Sequence, residues 1–165
     1  MQLNVFLSHS VNERDRPILT RLESEWRRAG AEVYLAEREF APTTVSQKVR
    51  GAIAQADVVV VLLTQAGTAS SWVSAEVGIA LELAKPIVPF VEEGVDPTGP
   101  IRERDQIRFN RRNPEEAIAR TTRFLESLKQ PSAHADTGDE FAAGLMVGIL
   151  LAAVVVLLIV ALAQD

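Results

Sequence analysis

Apolar positions along the first 130 residues recur in two alternating rhythms, short runs suited to strands and longer stretches with a period near 3.6 suited to helices. Leu3 to Leu7 is a short apolar run ending at Ser8, followed by a polar loop and a helix over Pro17 to Ala29. In that helix Ile18, Leu19, Leu22 and Trp26 fall on one face, Pro17 suits the first turn and Gly30 a C-terminal stop. Trp26 is therefore assigned to packing. Val33 to Ala36 predicts a second strand, Glu37 to Thr43 a loop, and Thr44 to Ala56 a helix with Thr44 and Gln47 spaced as a capping box. Asp57 punctuates before Val58 to Leu63, a VVVVLL run apolar on both alternating faces, as expected of a strand covered by helices above and below. A loop over Thr64 to Ser71, a helix over Trp72 to Ala84 and a strand over Ile87 to Val91, entered through Pro86, come next. Glu92 to Glu103 is loop-rich, Gln106 to Phe109 predicts a fifth, edge strand, and a last helix begins at Asn113. Asn113 as cap, Pro114 in the first turn, and Glu115 and Glu116 beside the positive end of the helix dipole agree on that start.

Strands alternating with helices predict an α/β domain, and five parallel strands suggest a flavodoxin-like sheet in the order 2-1-3-4-5 with helices on both faces. In such sheets ligands bind outside the carboxyl ends of the strands, where the order reverses between the first and third. The segments to search are then Ser8 to Asp15 and Thr64 to Ser71. No internal repeat interrupts the pattern.

The apolar rhythm changes character after residue 140. Phe141 to Ala163 runs FAAGLMVGILLAAVVVLLIVALA without an ionisable side chain, and a helix of that length measures about 34 Å, enough to cross a bilayer with some tilt. Pro131 to Glu140, PSAHADTGDE, is built of small, polar and turn-forming residues and reads as a flexible linker of roughly 17 to 19 Å end to end. The expected organisation is a domain over 1–130, a linker over 131–140 and a single C-terminal transmembrane helix over 141–163. Within the span Gly144, Gly148 and Ala152 are spaced four apart, a small-residue groove that favours association of two membrane helices.

Composition and charge refine this picture. The chain of 165 residues is 47% hydrophobic and 24% charged, with a formal net charge of −5 and no cysteine, which excludes disulfides and thiolate metal sites. All 17 basic residues and 18 of the 22 acidic ones lie in residues 1 to 130, a near balance that offers no basic field for nucleic acid. Arg123 and Lys129 precede the span and no Lys or Arg follows it, so the domain is expected to face the cytoplasm as a tail-anchored protein. MQLNVFLSHS has neither the basic start nor the long apolar core of a secretory signal. His9 and His134 have no ligand cluster around them, so no metal site is expected.

The stretch from Ser70 to Pro89, SSWVSAEVGIALELAKPIVP, carries the candidate chemistry. Trp72 and Glu76 are four residues apart on a helix and stack on one side, so an indole and a carboxylate face one space, a pair suited to a flat cationic substrate. Ile79 and Leu83 share their stripe, whereas Glu82 has no such company and reads as a solvated side chain. Neither a Gly-x-Gly-x-x-Gly fingerprint nor a phosphate-binding Gly-Lys-Ser/Thr loop is present, so any nucleotide is held by another route.

FLSHS after the first strand, Gly30 before VYLAE, ADVVVVLLT, SSWVSAEVGIAL and KPIVPF occur in the order found in Toll/interleukin-1 receptor (TIR) domains, and residues 1 to 130 resemble that family in its prokaryotic form. The resemblance implies NAD+ as a substrate, not a cofactor, cleaved at the nicotinamide–ribose bond, with Glu76 at the position of the catalytic carboxylate. It implies substrate contacts from Ser8, His9 and Trp72, self-association with other TIR domains, and defence signalling as a setting. The loop after the second strand packs on a neighbouring subunit in such domains, and here that assembly loop contains Glu37, Arg38, Phe40, Pro42 and Thr43. Family members often have Pro-Gly where this chain has Pro42-Thr43, so glycine's access to positive φ is absent.

Two other readings compete with this NAD+ hydrolase. A non-catalytic TIR adaptor would recruit partners through the same loop and would not need Glu76. An N-deoxyribosyltransferase-like enzyme would use a carboxylate on the N-glycosidic bond of free nucleosides. A phosphoacceptor receiver domain is disfavoured, because the third strand ends in Leu63-Thr64 where an Asp would be needed.

Overall fold

The computed structural model describes residues 2–35, 45–65 and 70–129, all within one compact unit spanning Met1–Pro131. The elements follow in the order β1 (Leu3–Ser8), α1 (Arg16–Arg28), β2 (Ala31–Leu35), α2 (Val45–Gln55), β3 (Val58–Leu63), α3 (Ser71–Glu82), β4 (Ile87–Glu92), β5 (Ile107–Phe109) and α4 (Glu115–Lys129), with short 3-10 turns at Glu13–Asp15 and Gly99–Ile101. The sheet has the order β2-β1-β3-β4-β5 and every pairing is parallel. This is the expected α/β architecture. Helices α1 and α4 pack against each other, and so do α2 and α3.

Position in the sheet explains the burial of each strand. All six residues of β3 are buried, as a central strand with both faces covered requires. Edge strands β2 and β5 alternate instead, with Ala31 and Val33 buried beside exposed Glu32 and Tyr34, and Ile107 and Phe109 buried on either side of Arg108. One core cluster joins Phe6, Val59 and Val61 to Ile53 of α2 and Val73 and Val77 of α3. Trp26 of α1 is wholly buried, which agrees with its assignment to packing.

The ends of the elements correct several expected boundaries. β2 begins two residues earlier than expected, at Ala31, directly after Gly30, whose φ of +76° is the left-handed conformation that closes α1. Lys129 donates from Nζ to the Ala29 carbonyl at the same helix end. Helix α3 stops at Glu82 and not at Ala84, because Ala84 takes up φ +50° and Lys85 N–H donates back to the Ala80 carbonyl at 2.8 Å, a C-terminal cap made without glycine. Lys85 Nζ then donates to the Ala54 and Ala56 carbonyls at 2.6 and 2.8 Å and ties the end of α2 to β4. Helix α4 starts at Glu115, two residues after its expected cap Asn113, since the Pro114 carbonyl accepts from Ile118 N–H at 2.9 Å while Asn113 N–H donates back to the Asn110 carbonyl at 3.1 Å.

The loop over residues 36–44, which contains Glu37, Arg38, Phe40, Pro42 and Thr43 together with Thr44 of the expected capping box, lies outside the described residues. Gly144, Gly148 and Ala152 and the whole stretch over 131–163 lie outside them as well. Among the described residues no helix is long and apolar enough to cross a membrane.

Candidate functional site

Helix α3 is set by its N-cap, Ser70, whose extended backbone (φ −79°, ψ 114°) lets Oγ accept from Val73 N–H. From that start Val73, Glu76, Val77 and Ala80 fall on the buried face, so the helix turns a carboxylate into an otherwise apolar contact with the sheet. Glu76 is only 2% exposed. Ser8, the last residue of β1 and paired in register with Val61, is fully buried and donates from Oγ to Glu76 Oε2 at 2.5 Å. A carboxylate out of water is costly unless hydrogen-bonded, and a short O–H···O⁻ bond is of the strong, charge-assisted kind. The strand therefore fixes the hydroxyl and the hydroxyl orients the acid.

Trp72 lies one turn before Glu76 and is 45% exposed, so its indole stands at the surface and not in the core. His9 follows Ser8 and is partly buried, with Nδ1 2.8 Å from the Ser10 carbonyl oxygen. A carbonyl can only accept, so Nδ1 carries the proton in that contact. Ser8 and Glu76 are thus brought together, Trp72 sits a turn away at the rim, and His9 leads out of the strand beside them. Residues 66–69, from the loop between β3 and α3, lie outside the described residues.

A second polar cluster occupies the same carboxyl edge and escaped the sequence reading. Asp15 is 1% exposed and accepts from Thr64 Oγ1 at 2.9 Å, Ser10 Oγ at 3.2 Å and Arg111 Nη2 at 2.8 Å. Arg111 also donates from Nε and Nη2 to the two carboxylate oxygens of Glu92 at 2.6 and 2.9 Å, and from Nη1 to the Arg14 carbonyl at 2.7 Å. The hydrogen bonds from Arg111 hold the Glu92 carboxyl below the usual carboxylate range, and the same bonds, with those to Asp15, raise the guanidinium further above neutrality. The available signal was positional. Glu92 ends β4 and Arg111 follows β5 by two residues, so an acid and a base stand at the same end of neighbouring parallel strands. Asp15 directly precedes a helix with Pro in its first turn, and read simply as a polar loop residue.

Glu82 is not a lone solvated group. It accepts from both terminal nitrogens of Arg50 at 2.8 and 2.5 Å, a bidentate pair on the surface that links α2 to α3. An apolar cavity of about 150 Å³ lies on another flank of α3, between Val73, Ser74 and Gly78 and the turn at Gly99–Ile101, and Glu76 does not line it. Its lining includes two hydroxyl residues, Ser74 and Thr98, and no ionisable group.

With the geometry in place, residues 5–122 match the family described as TIR domain. Among solved structures, the CMP N-glycosidase BcmB of Clostridium botulinum superposes with a TM-score of 0.56 at 18% identity, covering 72% of this chain and 97% of that one. The TIR domains of the activated Roq1 resistosome, which recognises the pathogen effector XopQ, align with a TM-score of 0.49 at 19% identity over 58% of this chain and 60% of that one. No curated protein matches the sequence. At these identities the structural likeness is one of fold.

Proposed function

We propose that this chain, which belongs to the TIR domain family, is an NAD+ hydrolase that cleaves the bond between nicotinamide and ribose with Glu76 as its catalytic carboxylate. The observation that carries the proposal is the burial of Glu76 at the carboxyl edge of the sheet with the Ser8 hydroxyl 2.5 Å from its Oε2. A buried carboxylate held in one orientation is a functional-site feature, and a purely adaptor role gives it no use. The strand order supports the location, since the switch between β1 and β3 is where such sheets bind ligands.

The chemistry asks little of the protein. As the C1′–N bond breaks, its electron pair returns to the nicotinamide ring and neutralises the pyridinium, leaving positive charge on the ribose. A fixed carboxylate stabilises that cation more than it stabilises the substrate, which is how an oriented charge lowers a barrier. Water then adds to C1′ and releases a proton, giving ADP-ribose and free nicotinamide. Nicotinamide departs neutral, so one carboxylate suffices without a paired general acid. Trp72 flanks the site as a stacking surface, Ser8 orients Glu76, and His9 borders the ribose.

The apolar stretch over 141–163 anchors the domain to the cytoplasmic face of a membrane in this proposal, and its Gly144, Gly148 and Ala152 face together with the loop over residues 37–43 brings copies into contact. Clustering would then switch the enzyme on, a control that an NAD+-consuming activity requires in its own cell. The deciding experiment incubates the protein with NAD+ and identifies products by mass, with Glu76→Gln as control and CMP and free nucleosides as rival substrates. Nicotinamide release by the wild type and its loss in Glu76→Gln is the expected result. Equal release by both proteins would remove Glu76 from the chemistry, and cleavage of CMP or a free nucleoside alone would replace the substrate.

A further inference from the structure

The buried acid that the proposed chemistry leaves unused is Asp15, and its surroundings join the carboxyl edge together. Through Ser10, Thr64, Arg111 and Glu92, one carboxylate and one guanidinium connect the end of β4 to the segments that follow β1, β3 and β5. The piece of chain most constrained by this clasp runs from His9 to Arg14. At one end Ser8 is fixed by its pairing in the sheet and its bond to Glu76, and at the other Asp15 is buried under Arg111. In between, Arg111 holds the Arg14 carbonyl at 2.7 Å and the Asn12 side chain accepts from Arg14 N–H at 2.9 Å. The segment exposes Val11 at 70%, and it begins directly after the residue that orients the catalytic acid.

We propose that Arg111, acting through Asp15, is a positioning residue for substrate binding, setting the conformation of residues 9–14 beside Glu76. The inference rests on the reading of the site as an N-glycosidic hydrolase of NAD+. It differs from a role in stability alone because the planar fork of Arg111 addresses three acceptors on two segments, the Arg14 carbonyl and Asp15 before α1 and Glu92 at the end of β4, and fixes their mutual placement. Lysine in its place keeps the charge but offers no such fork. A misplaced binding segment weakens substrate binding in ground and transition state alike, so it raises KM and leaves kcat in place.

The test uses the full-length protein, steady-state kinetics with NAD+, and amide hydrogen exchange without substrate. Arg111→Gln is expected to raise KM about tenfold with kcat within about twofold, Arg111→Lys to fall between it and the wild type, and Thr64→Val, which removes one donor to Asp15 and uncovers no charge, to raise KM about threefold. Exchange should quicken over residues 9–14 while the amides of β1 and β3 keep their protection. Unchanged KM in all three variants, or a fall in kcat at constant KM, would overturn the proposal. So would unaltered exchange over residues 9–14. If Arg111→Gln does not fold, Arg111→Lys and Thr64→Val decide by the same criteria. A wild type that does not cleave NAD+, with exchange behaving as expected, removes the hydrolase reading and leaves the clasp's control of the segment standing. A cleaving wild type with unmoved KM and exchange removes the clasp alone.

Discussion

The Ser8–Glu76 bond can be measured by a double-mutant cycle. Ser8→Ala deletes a buried hydroxyl that donates to Glu76 Oε2 at 2.5 Å, and the vacated volume of one oxygen atom in a fully buried position is too small to admit a water in its place. A hydrogen bond to a charged group is worth about 1.5 to 3 kcal/mol net, and the bond here is short and shielded from solvent, so the substitution should cost a sum in that range. For a domain of this size that corresponds to a fall in melting midpoint of roughly 5 to 12 °C. In a Glu76→Leu background the hydroxyl has lost its acceptor, and Ser8→Ala should then cost under about 0.5 kcal/mol, so that the coupling energy carries nearly the whole effect. Urea unfolding followed by the fluorescence of Trp26, which is wholly buried and therefore reports on the packed core, provides the readout. A coupling energy near zero would mean that the two side chains do not share a bond worth the name, and the orienting role of Ser8 would be withdrawn.

Other consequences follow from the same edge of the sheet. Trp72 is 45% exposed, so Trp72→Ala should change stability by under about 1 kcal/mol while raising KM for NAD+, and Trp72→Phe should recover most of the loss; an unchanged KM would return Trp72 to the role of a surface residue. Glu92 has its folded-state pKa depressed by the hydrogen bonds from Arg111, so its contribution to stability is complete above the ordinary carboxylate range and disappears as pH falls through the lower, folded value. Urea midpoints measured from pH 7 down to pH 3 should therefore fall more steeply in the wild type than in Arg111→Gln, and parallel curves would show that the Glu92–Arg111 pair carries none of the acid sensitivity.

Much of the architecture was legible because it follows from periodicity. The VVVVLL run of Val58 to Leu63 could be satisfied only between two helical layers, and β3 has those bounds and lies buried throughout. The register of Trp26 with Ile18 and Leu22 placed all three inside. Boundaries were less legible where a side chain or an unusual backbone angle ended the element. Ala84 stops α3 with φ +50°, a conformation ordinarily signalled by glycine, so nothing in the local sequence announced it. Glu82 illustrates the same limit for charge, since its partner Arg50 lies 32 residues earlier on another helix.

Local sequence thus determined which segments are strands and helices and which apolar faces turn inward, because these depend on spacings of two to four residues along one element. It could not disclose that Ser8 meets Glu76 across 68 positions or that Asp15 meets Arg111 across 96. Those meetings arise because parallel strands bring all their carboxyl ends to one edge, whatever their separation in the chain. Hydrogen bonds reach about 3 Å, so the partner of a buried acid is decided by that convergence and by nothing that can be read from its neighbours in sequence.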